Sequence, residues 1–220
     1  MSDVTVMSQE EMRSRIALFG EQEGNSQLMI TQSIPGFQRD IFSIIGKGVS
    51  EDSGTQPGIV DSTGFNVAYV GAPPDNGSAM HNHLEEVEVF IPVSGQWAIY
   101  WNEDDDMEEV VLGPMDCISV PAGVMRSFKN VGDTYGYLLV IIGGTENTTV
   151  ARPQSVIDAA AAAGLQLDHG PAMGIRPFRF APGSPPHVCQ GRPTHSVQRD
   201  KGDTTPALKS TIATHLKPKR

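Results

Sequence analysis

The 220-residue chain has little cysteine, no long apolar run and few basic residues relative to its acidic ones. Its two cysteines, Cys117 and Cys189, stand 72 positions apart, which excludes a disulfide framework and a zinc site built on a CxxC pair. Apolar runs such as residues 138–142 are far shorter than the roughly 20 residues of a membrane-spanning helix. A formal charge of −10 argues against a nucleic-acid partner, because phosphate recognition needs a basic face.

Several familiar sequence signals are also missing. The first eight residues carry neither a basic segment nor an apolar one, so the start predicts a cytoplasmic rather than a secreted protein. Walker, GxGxxG, GxSxG and HExxH motifs are absent. Nucleotide-dependent and serine-hydrolase chemistry therefore have no support in the sequence.

The basic residues are unevenly distributed along the chain. Residues 1–165 carry 7 Lys and Arg against 23 Asp and Glu, whereas residues 166–220 carry 9 against 3. The second part also contains 8 of the 16 prolines, and its four histidines show no spacing typical of metal ligands. We interpret 166–220 as an extended basic tail that is either disordered or lies on an acidic surface.

The body of the chain reads as a series of short strands. From residue 64 onward, short apolar runs alternate with turns containing Gly, Pro, Asn or Asp at intervals of about 8 to 12 residues, which is typical of an antiparallel sandwich or barrel. The seven predicted strands cover 65–70, 86–93, 97–101, 109–112, 117–120, 125–130 and 137–142. Two further β-like runs precede them, at 28–30 and 41–45.

Two helices are predicted to flank these strands. Ser8 and Glu11 form a capping-box pattern that predicts a helix from about residue 9 to 19. Pro153 near the start and Gly164 past the end predict a second helix over 153–163. The chain then divides into an N-terminal helix and lead-in (1–27), a barrel (28–150), a helix packed on it (151–165) and the tail (166–220).

The strongest chemical signal is a pair of histidines followed by a carboxylate. His81 and His83 stand two positions apart on a segment predicted to be extended, so their side chains point to one side and can share an ion. A carboxylate from the next strand would complete a 2-His-1-carboxylate set, which suits Fe(II), Mn(II) or a similar ion. Strand alternation puts Glu88 and Phe90 on one face and the valines on the other, so either face could form the interior.

The segment from Gly77 to Asn130 resembles the two motifs of the cupin superfamily, G(X)5HXH(X)3-4E(X)6G and G(X)5PXG(X)2H(X)3N. The residues that match in type and spacing are His81, His83, Glu88 and Gly95 in the first motif, and Pro121, Gly123 and Asn130 in the second. The resemblance implies an all-β fold, the double-stranded β-helix or jelly-roll barrel. It also implies a homodimer, since similar proteins are often dimeric.

Three positions depart from the family pattern. Gly77 stands four rather than six positions before the first histidine, Met115 replaces the opening glycine of the second motif, and Arg126 replaces its histidine. Arginine offers only hydrogen-bond donors and stays cationic, so it cannot take over as a metal ligand. The metal site that the resemblance implies is therefore His81, His83 and Glu88.

Three interpretations of Arg126 remain open. Arg126 could hold the anionic part of a substrate over the open metal positions, in a pocket that Phe90 and Phe128 would also line. It could instead pair with Glu88 and replace the metal, leaving a barrel that binds a small molecule. It could also be an exposed residue at the rim.

From the resemblance we expect a metal-dependent enzyme that acts on a small molecule. The expected cofactor is a divalent transition metal, with Fe(II) favoured and Mn, Ni, Zn or Cu as alternatives. The expected reaction is dioxygenase-like oxidation of a small organic acid, enol or aromatic, with Arg126 orienting the substrate. The alternatives are a cupin isomerase, lyase or decarboxylase, and a non-catalytic binding protein in which Arg126 replaces the metal.

The other positions in the two motifs have structural interpretations. Residues 121–123 are expected to form a tight turn, because proline fixes φ and Gly123 permits a positive φ. Asn130 is expected to stabilise the next turn. Cys117 is expected to be buried as a small hydrophobic residue, because its surroundings suggest no activation of the thiol.

Overall fold

Eight strands form the body of the chain. The computed structural model describes residues 4–51, 54, 56–144 and 150–165, all within one compact unit; the predicted tail, 166–220, lies outside the described residues. The strands are β1 (Asp40–Ile45), β2 (Phe65–Ala72), β3 (Glu88–Ser94), β4 (Trp97–Trp101), β5 (Glu108–Leu112), β6 (Ile118–Val120), β7 (Arg126–Asn130) and β8 (Gly136–Gly143). Each bound lies within two residues of the prediction.

The strands assemble into two antiparallel sheets. One has the order β1-β2-β8-β3-β6 and the other the order β5-β4-β7. Aromatic rings join the two layers, since Phe90 of the larger sheet contacts Phe128 of the smaller with ring centroids 5.4 Å apart. Within the smaller sheet, Trp97 lies 5.9 Å from Phe128. The prediction of an all-β jelly-roll barrel is confirmed.

Strand β3 settles which face points inward. Glu88, Phe90 and Pro92 are buried, whereas Val87 just before the strand and Val93 within it are 43% and 48% exposed. The interpretation with valines in the core and Glu88 in water is therefore wrong. The sequence alternation is real, but the core is lined by the face that also carries a carboxylate.

Helix α1 (Gln9–Arg13) is much shorter than predicted. The capping box is present, since the Glu11 N–H donates to Ser8 Oγ at 3.2 Å and the Ser8 N–H donates to Glu11 Oε2 at 2.7 Å. None of the helical residues is buried, so no tertiary packing extends the helix beyond its capped first turn. Helix α2 (Gln154–Ala162) follows the prediction closely and buries Val156 and Ala160.

Two local predictions are wrong. Residues 28–30 form no strand: the Met29 and Ile30 N–H groups donate to the side chains of Gln32 and Glu51, each at 2.7 Å, and a 3-10 turn follows at Ile30–Ser33. Cys117 is exposed rather than buried, because it lies in the turn before β6 and not within the strand. None of the described helices is long and apolar enough to cross a membrane.

The turns of the second motif have the predicted structural roles. Gly123 adopts a φ of +77°, and its N–H donates to the His83 carbonyl at 2.7 Å. Met115 has a φ of +74°, which explains why a glycine suits this position in the family pattern. Asn130 is fully buried, and its Nδ2 donates to the carbonyls of Ala72 and Thr134, both at 2.8 Å.

Candidate metal centre and its cavity

Backbone pairing brings the two histidines to the smaller sheet. The His81 N–H donates to the Arg126 carbonyl at 3.0 Å, and the Arg126 N–H donates back to the His81 carbonyl at 2.7 Å. The segment before His81 lies equally close to β7, since Gly77 pairs with Lys129. Glu88 comes from the larger sheet, where β3 lies between β8 and β6. The candidate site therefore lies between the two layers.

The three predicted ligands do meet in space. One side-chain ligand atom from each of His81, His83 and Glu88 lies within 4.8 Å of the other two. Glu88 Oε2 is 3.4 Å from His83 Nε2 and 3.9 Å from His81 Nε2. Two imidazoles and a carboxylate at this separation form a set that could hold a divalent metal ion.

The environment of each group suits a metal ligand. His81 Nδ1 donates to the Ala79 carbonyl at 2.8 Å, which leaves the Nε2 lone pair facing Glu88 and free to coordinate. Glu88 Oε2 is buried, and its nearest side-chain nitrogens, His83 Nε2 at 3.4 Å and Arg126 Nε at 3.6 Å, are farther away than in an ordinary hydrogen bond. A buried carboxylate oxygen without a close donor is costly, and a cation would satisfy it.

The protonation states also favour coordination. Burial lowers the pKa of His81 to about 3, despite the opposing influence of Glu88, so the imidazole is neutral. Burial alone would raise the pKa of Glu88, but the contacts with His83, His81 and Arg126 outweigh it and hold this pKa below its ordinary value. The site therefore presents a neutral His81 imidazole and an ionised carboxylate near neutral pH.

Arg126 is fully buried behind Glu88, so the interpretation as an exposed rim residue is wrong. Its Nη2 donates to the Pro121 carbonyl at 2.8 Å. Its Nε lies 3.6 Å from Glu88 Oε2, and neither Nε nor Nη1 makes a hydrogen bond to the described residues. Arg126 therefore balances the charge of Glu88 at short range without forming the bidentate contact typical of arginine and carboxylate.

The three candidate ligands line an open cavity of about 740 Å³, the solvent at its mouth included. Much of the wall is apolar and comes from Ile41, Val70, Phe128, Val140 and Ile142. Phe128 thus lies where substrate contact was predicted. Phe90 and Arg126 do not line the cavity, because Phe90 packs behind Phe128 in the core and Arg126 lies behind Glu88.

Sequence reasoning missed the basic residues of the cavity wall, which are Arg39, Lys47 and Arg152. They stand outside both motifs, and Arg39 and Arg152 are 113 positions apart. No local pattern joins them. The one sequence signal that could have marked them as candidates is the rarity of basic residues, since they are three of only seven in the acidic first 165 positions.

The family assignment follows from this fold and site. Residues 68–142 match the sequence model of the cupin domain family. The match spans β2 to β8 and contains all three candidate metal ligands. Residues 68–142 therefore form a cupin domain. Among curated proteins compared by sequence, none matches significantly.

Solved structures with a similar fold have varied described roles. A sugar phosphate isomerase of the cupin superfamily from Silicibacter pomeroyi is 22% identical, with 62% of this chain and 80% of that one covered and a TM-score of 0.44. The DMSP lyase DddQ from Ruegeria pomeroyi is 19% identical, with 51% and 50% covered and a TM-score of 0.40. The capsular polysaccharide assembling protein CapF from Staphylococcus aureus is 16% identical, with 60% and 31% covered and a TM-score of 0.44. The chain thus spans about a third of the length of CapF.

Proposed function

We propose that this protein is a metal-dependent cupin enzyme in which His81, His83 and Glu88 hold one divalent transition metal ion, with Fe(II) favoured over Mn, Ni, Zn or Cu. The proposal rests on one observation: the ligand atoms of these three residues lie within 4.8 Å of one another on the wall of a cavity. Two histidines and one carboxylate leave coordination positions open for substrate, as in non-haem Fe(II) oxygenases.

The reaction that we propose is dioxygenase-like oxidation of a small organic acid, enol or aromatic. Bound to the three residues, Fe(II) would supply Lewis acidity and redox chemistry with dioxygen. The chain itself would orient His81 through the Ala79 carbonyl and keep Glu88 ionised beside Arg126. The apolar walls would hold the carbon skeleton of the substrate and exclude water from the reacting atoms.

The position of Arg126 favours a bound metal over an arginine that replaces it. An arginine serving as the sole cation would be expected to hydrogen-bond the carboxylate through its fork. Here the hydrogen bond of Arg126 goes to Pro121, and Glu88 Oε2 still faces the two histidines. The predicted contact between Arg126 and a substrate stays a prediction.

A second candidate is an isomerase, lyase or decarboxylase that consumes no oxygen. The basic residues of the cavity wall support it, because cations near the reacting atoms stabilise an enolate or a similar anion. Oxygen uptake separates the two candidates. A loaded enzyme that turns over a substrate without taking up oxygen would replace the first candidate by the second.

The metal proposal is tested first by metal content. Protein reconstituted anaerobically with Fe(II) and desalted is expected to hold close to one ion per chain, measured by plasma mass spectrometry. The His81→Ala/His83→Ala variant is expected to fall to background, because two of the three ligand atoms are gone. The matched control is His195→Ala/His215→Ala, which removes two histidines from the tail and should leave the metal content unchanged. Wild-type protein that stays empty, or a double variant that keeps its metal, would contradict the proposal.

Homodimer formation and a cytoplasmic location stay predictions beside this proposal. The first follows from the family resemblance. Light scattering of the purified chain measures the first directly.

A further inference from the structure

The cavity wall has a charge opposite to that of the chain around it. Residues 1–165 carry 7 basic and 23 acidic residues, yet Arg39, Lys47 and Arg152 all line the cavity. Among the described acidic residues, Glu88 alone joins them on the wall, and it belongs to the candidate metal set. Concentrating cations in one concave site of an acidic body raises the local concentration of anions there.

Arg39 is the most distinctive of these cations because it is 4% exposed and forms no ion pair with the described residues. No carboxylate of the described residues lies within 4.0 Å of its guanidinium. Burial and the nearby Arg152 lower the pKa of Arg39 to about 10 despite the opposing influence of Glu51, which still leaves the guanidinium cationic at neutral pH. The burial of this charge is therefore only partly compensated.

The guanidinium of Arg39 is oriented by four hydrogen bonds, all to neutral acceptors. Nη1 donates to the carbonyls of Phe37 and Gly77 at 2.9 and 3.2 Å. Nη2 has only weak acceptors, which are Met29 Sδ at 3.3 Å and Thr31 Oγ1 at 3.4 Å. The Nη1 edge thus fixes the group in place, while the two long Nη2 contacts are the ones that a charged acceptor in the cavity could replace.

Arg152 links this basic wall to the candidate metal centre. Its neighbour Ala151 pairs with Asn82, the residue between the two histidines, through hydrogen bonds of 2.9 and 3.2 Å. Glu51 Oε1 accepts from Arg152 Nη2 at 2.5 Å and occupies one edge of that guanidinium. Arg152 and Glu51 both interact electrostatically with Arg39. The three cations of the wall still outnumber the two carboxylates, Glu51 and Glu88.

From these observations we infer that Arg39, supported by Arg152, binds the oxyanion group of a small organic anion whose apolar skeleton lies against the cavity wall. The oxyanion is a carboxylate or a phosphate monoester. The skeleton would contact the apolar side chains that share the cavity, chiefly Ile41, Val70, Phe128 and Val140. This inference rests on the proposed function for its substrate class, but anion binding itself needs no metal.

The test measures binding in the absence of metal. Wild-type protein is treated with a chelator, desalted and titrated calorimetrically at low ionic strength with benzoate and with phenyl phosphate. Benzamide and phenol serve as the uncharged counterparts. We expect at least one anion to bind about 10- to 100-fold more tightly than its counterpart, the range that corresponds to a hydrogen bond with a charged group.

Variants assign the effect to Arg39. Arg39→Gln is expected to lose that preference for the anion, and Arg39→Lys to keep part of it. The control is Arg15→Gln, since Arg15 is 40% exposed, pairs with Asp61 and does not line the cavity. Anion binding is measured on chelated wild-type protein and the metal proposal on metal content, so failure of the metal proposal and failure of this inference give different results.

Three results would overturn the inference. They are equal affinity for anion and counterpart, absence of anion binding to the wild type, and undiminished anion binding by a folded Arg39→Gln variant. If the Arg39 variants do not fold, a crystal of the wild type soaked with 4-bromobenzoate tests the inference instead. The anomalous signal of bromine marks one end of the ligand and so shows where its carboxylate lies. A carboxylate on Arg39 would support the inference, and a carboxylate elsewhere in the cavity would overturn it.

Discussion

Gly77→Ala is expected to cost the protein about 4 kcal/mol or more of its free energy of unfolding, a loss found only for severe substitutions. A Cβ at this position would stand 1.8 Å from the Phe128 carbonyl oxygen and 2.8 Å from the Lys129 Cα. Both are backbone atoms of β7, so no side-chain rotation relieves the clash. Urea unfolding of the metal-free protein measures the loss directly.

The same substitution should also disturb the candidate metal centre. The backbone from Gly77 to His81 is held against β7, where the Ser78 N–H donates to the Phe128 carbonyl at 2.9 Å and His81 pairs with Arg126. Moving this segment outward to admit a methyl group would carry His81 away from Glu88. We therefore expect that any Gly77→Ala protein that folds binds metal much more weakly than the wild type.

The control is Gly20→Ala. Gly20 has no positive φ, and a Cβ there would meet no atom within 4 Å. Its effect should lie within about 0.5 kcal/mol of zero, as for an ordinary surface substitution. A Gly77→Ala protein with near wild-type stability and full metal content would contradict the prediction, because it would show that the β7 backbone can move to accommodate a methyl group at residue 77.

The strands were predictable because they carry a strong local pattern. Strand β4 has the predicted bounds, Trp97–Trp101, and both Trp97 and Ile99 are fully buried. The metal set was predictable for a similar reason, since two histidines two positions apart on an extended segment share a face whatever surrounds them. Such features depend on the backbone period alone.

Features that depend on distant partners were not predictable. Helix α1 carries its capping signal, but its length depends on packing that the described residues do not provide. Residues 28–30 look β-like, yet Gln32 and Glu51 satisfy their backbone donors and no strand forms. The basic cavity wall combines Arg39 and Arg152, which only the tertiary fold brings together. The burial of Arg126 likewise depends on where β7 lies.

Arg126→Met is the second substitution with a large expected effect, and in the metal-free protein it should cost about 3–5 kcal/mol, the range for removing one partner of a buried ion pair. Glu88 would lose its nearest permanent cation, and Glu86, which is also buried and interacts electrostatically with Arg126, would lose the same partner. The hydrogen bond to the Pro121 carbonyl would disappear as well. Urea unfolding is the measurement.

The double variant Arg126→Met/Glu88→Gln isolates the charge interaction. If most of the cost comes from an uncompensated carboxylate, removing that charge should restore part of the lost stability, so the double variant should be more stable than Arg126→Met alone. Lys129→Met is the matched control, because it removes a basic residue from the same strand that has no ion pair with the described residues. It should change stability little.

Metal addition then separates two roles of Arg126: balancing the charge of Glu88 beside a bound metal ion, and replacing that ion. If His81, His83 and Glu88 bind an ion, Mn(II) should stabilise Arg126→Met more than it stabilises the wild type, because the ion replaces the missing cation and no longer meets the repulsion of the guanidinium. If Arg126 instead takes the place of a metal, Mn(II) should leave the stability of the wild type unchanged, and only Arg126→Met, in which the cation position is vacated, could gain stability from the ion. A Mn(II) effect that is equal in both would show that Arg126 and the ion do not share Glu88, which would contradict the 3.6 Å contact on which this prediction rests.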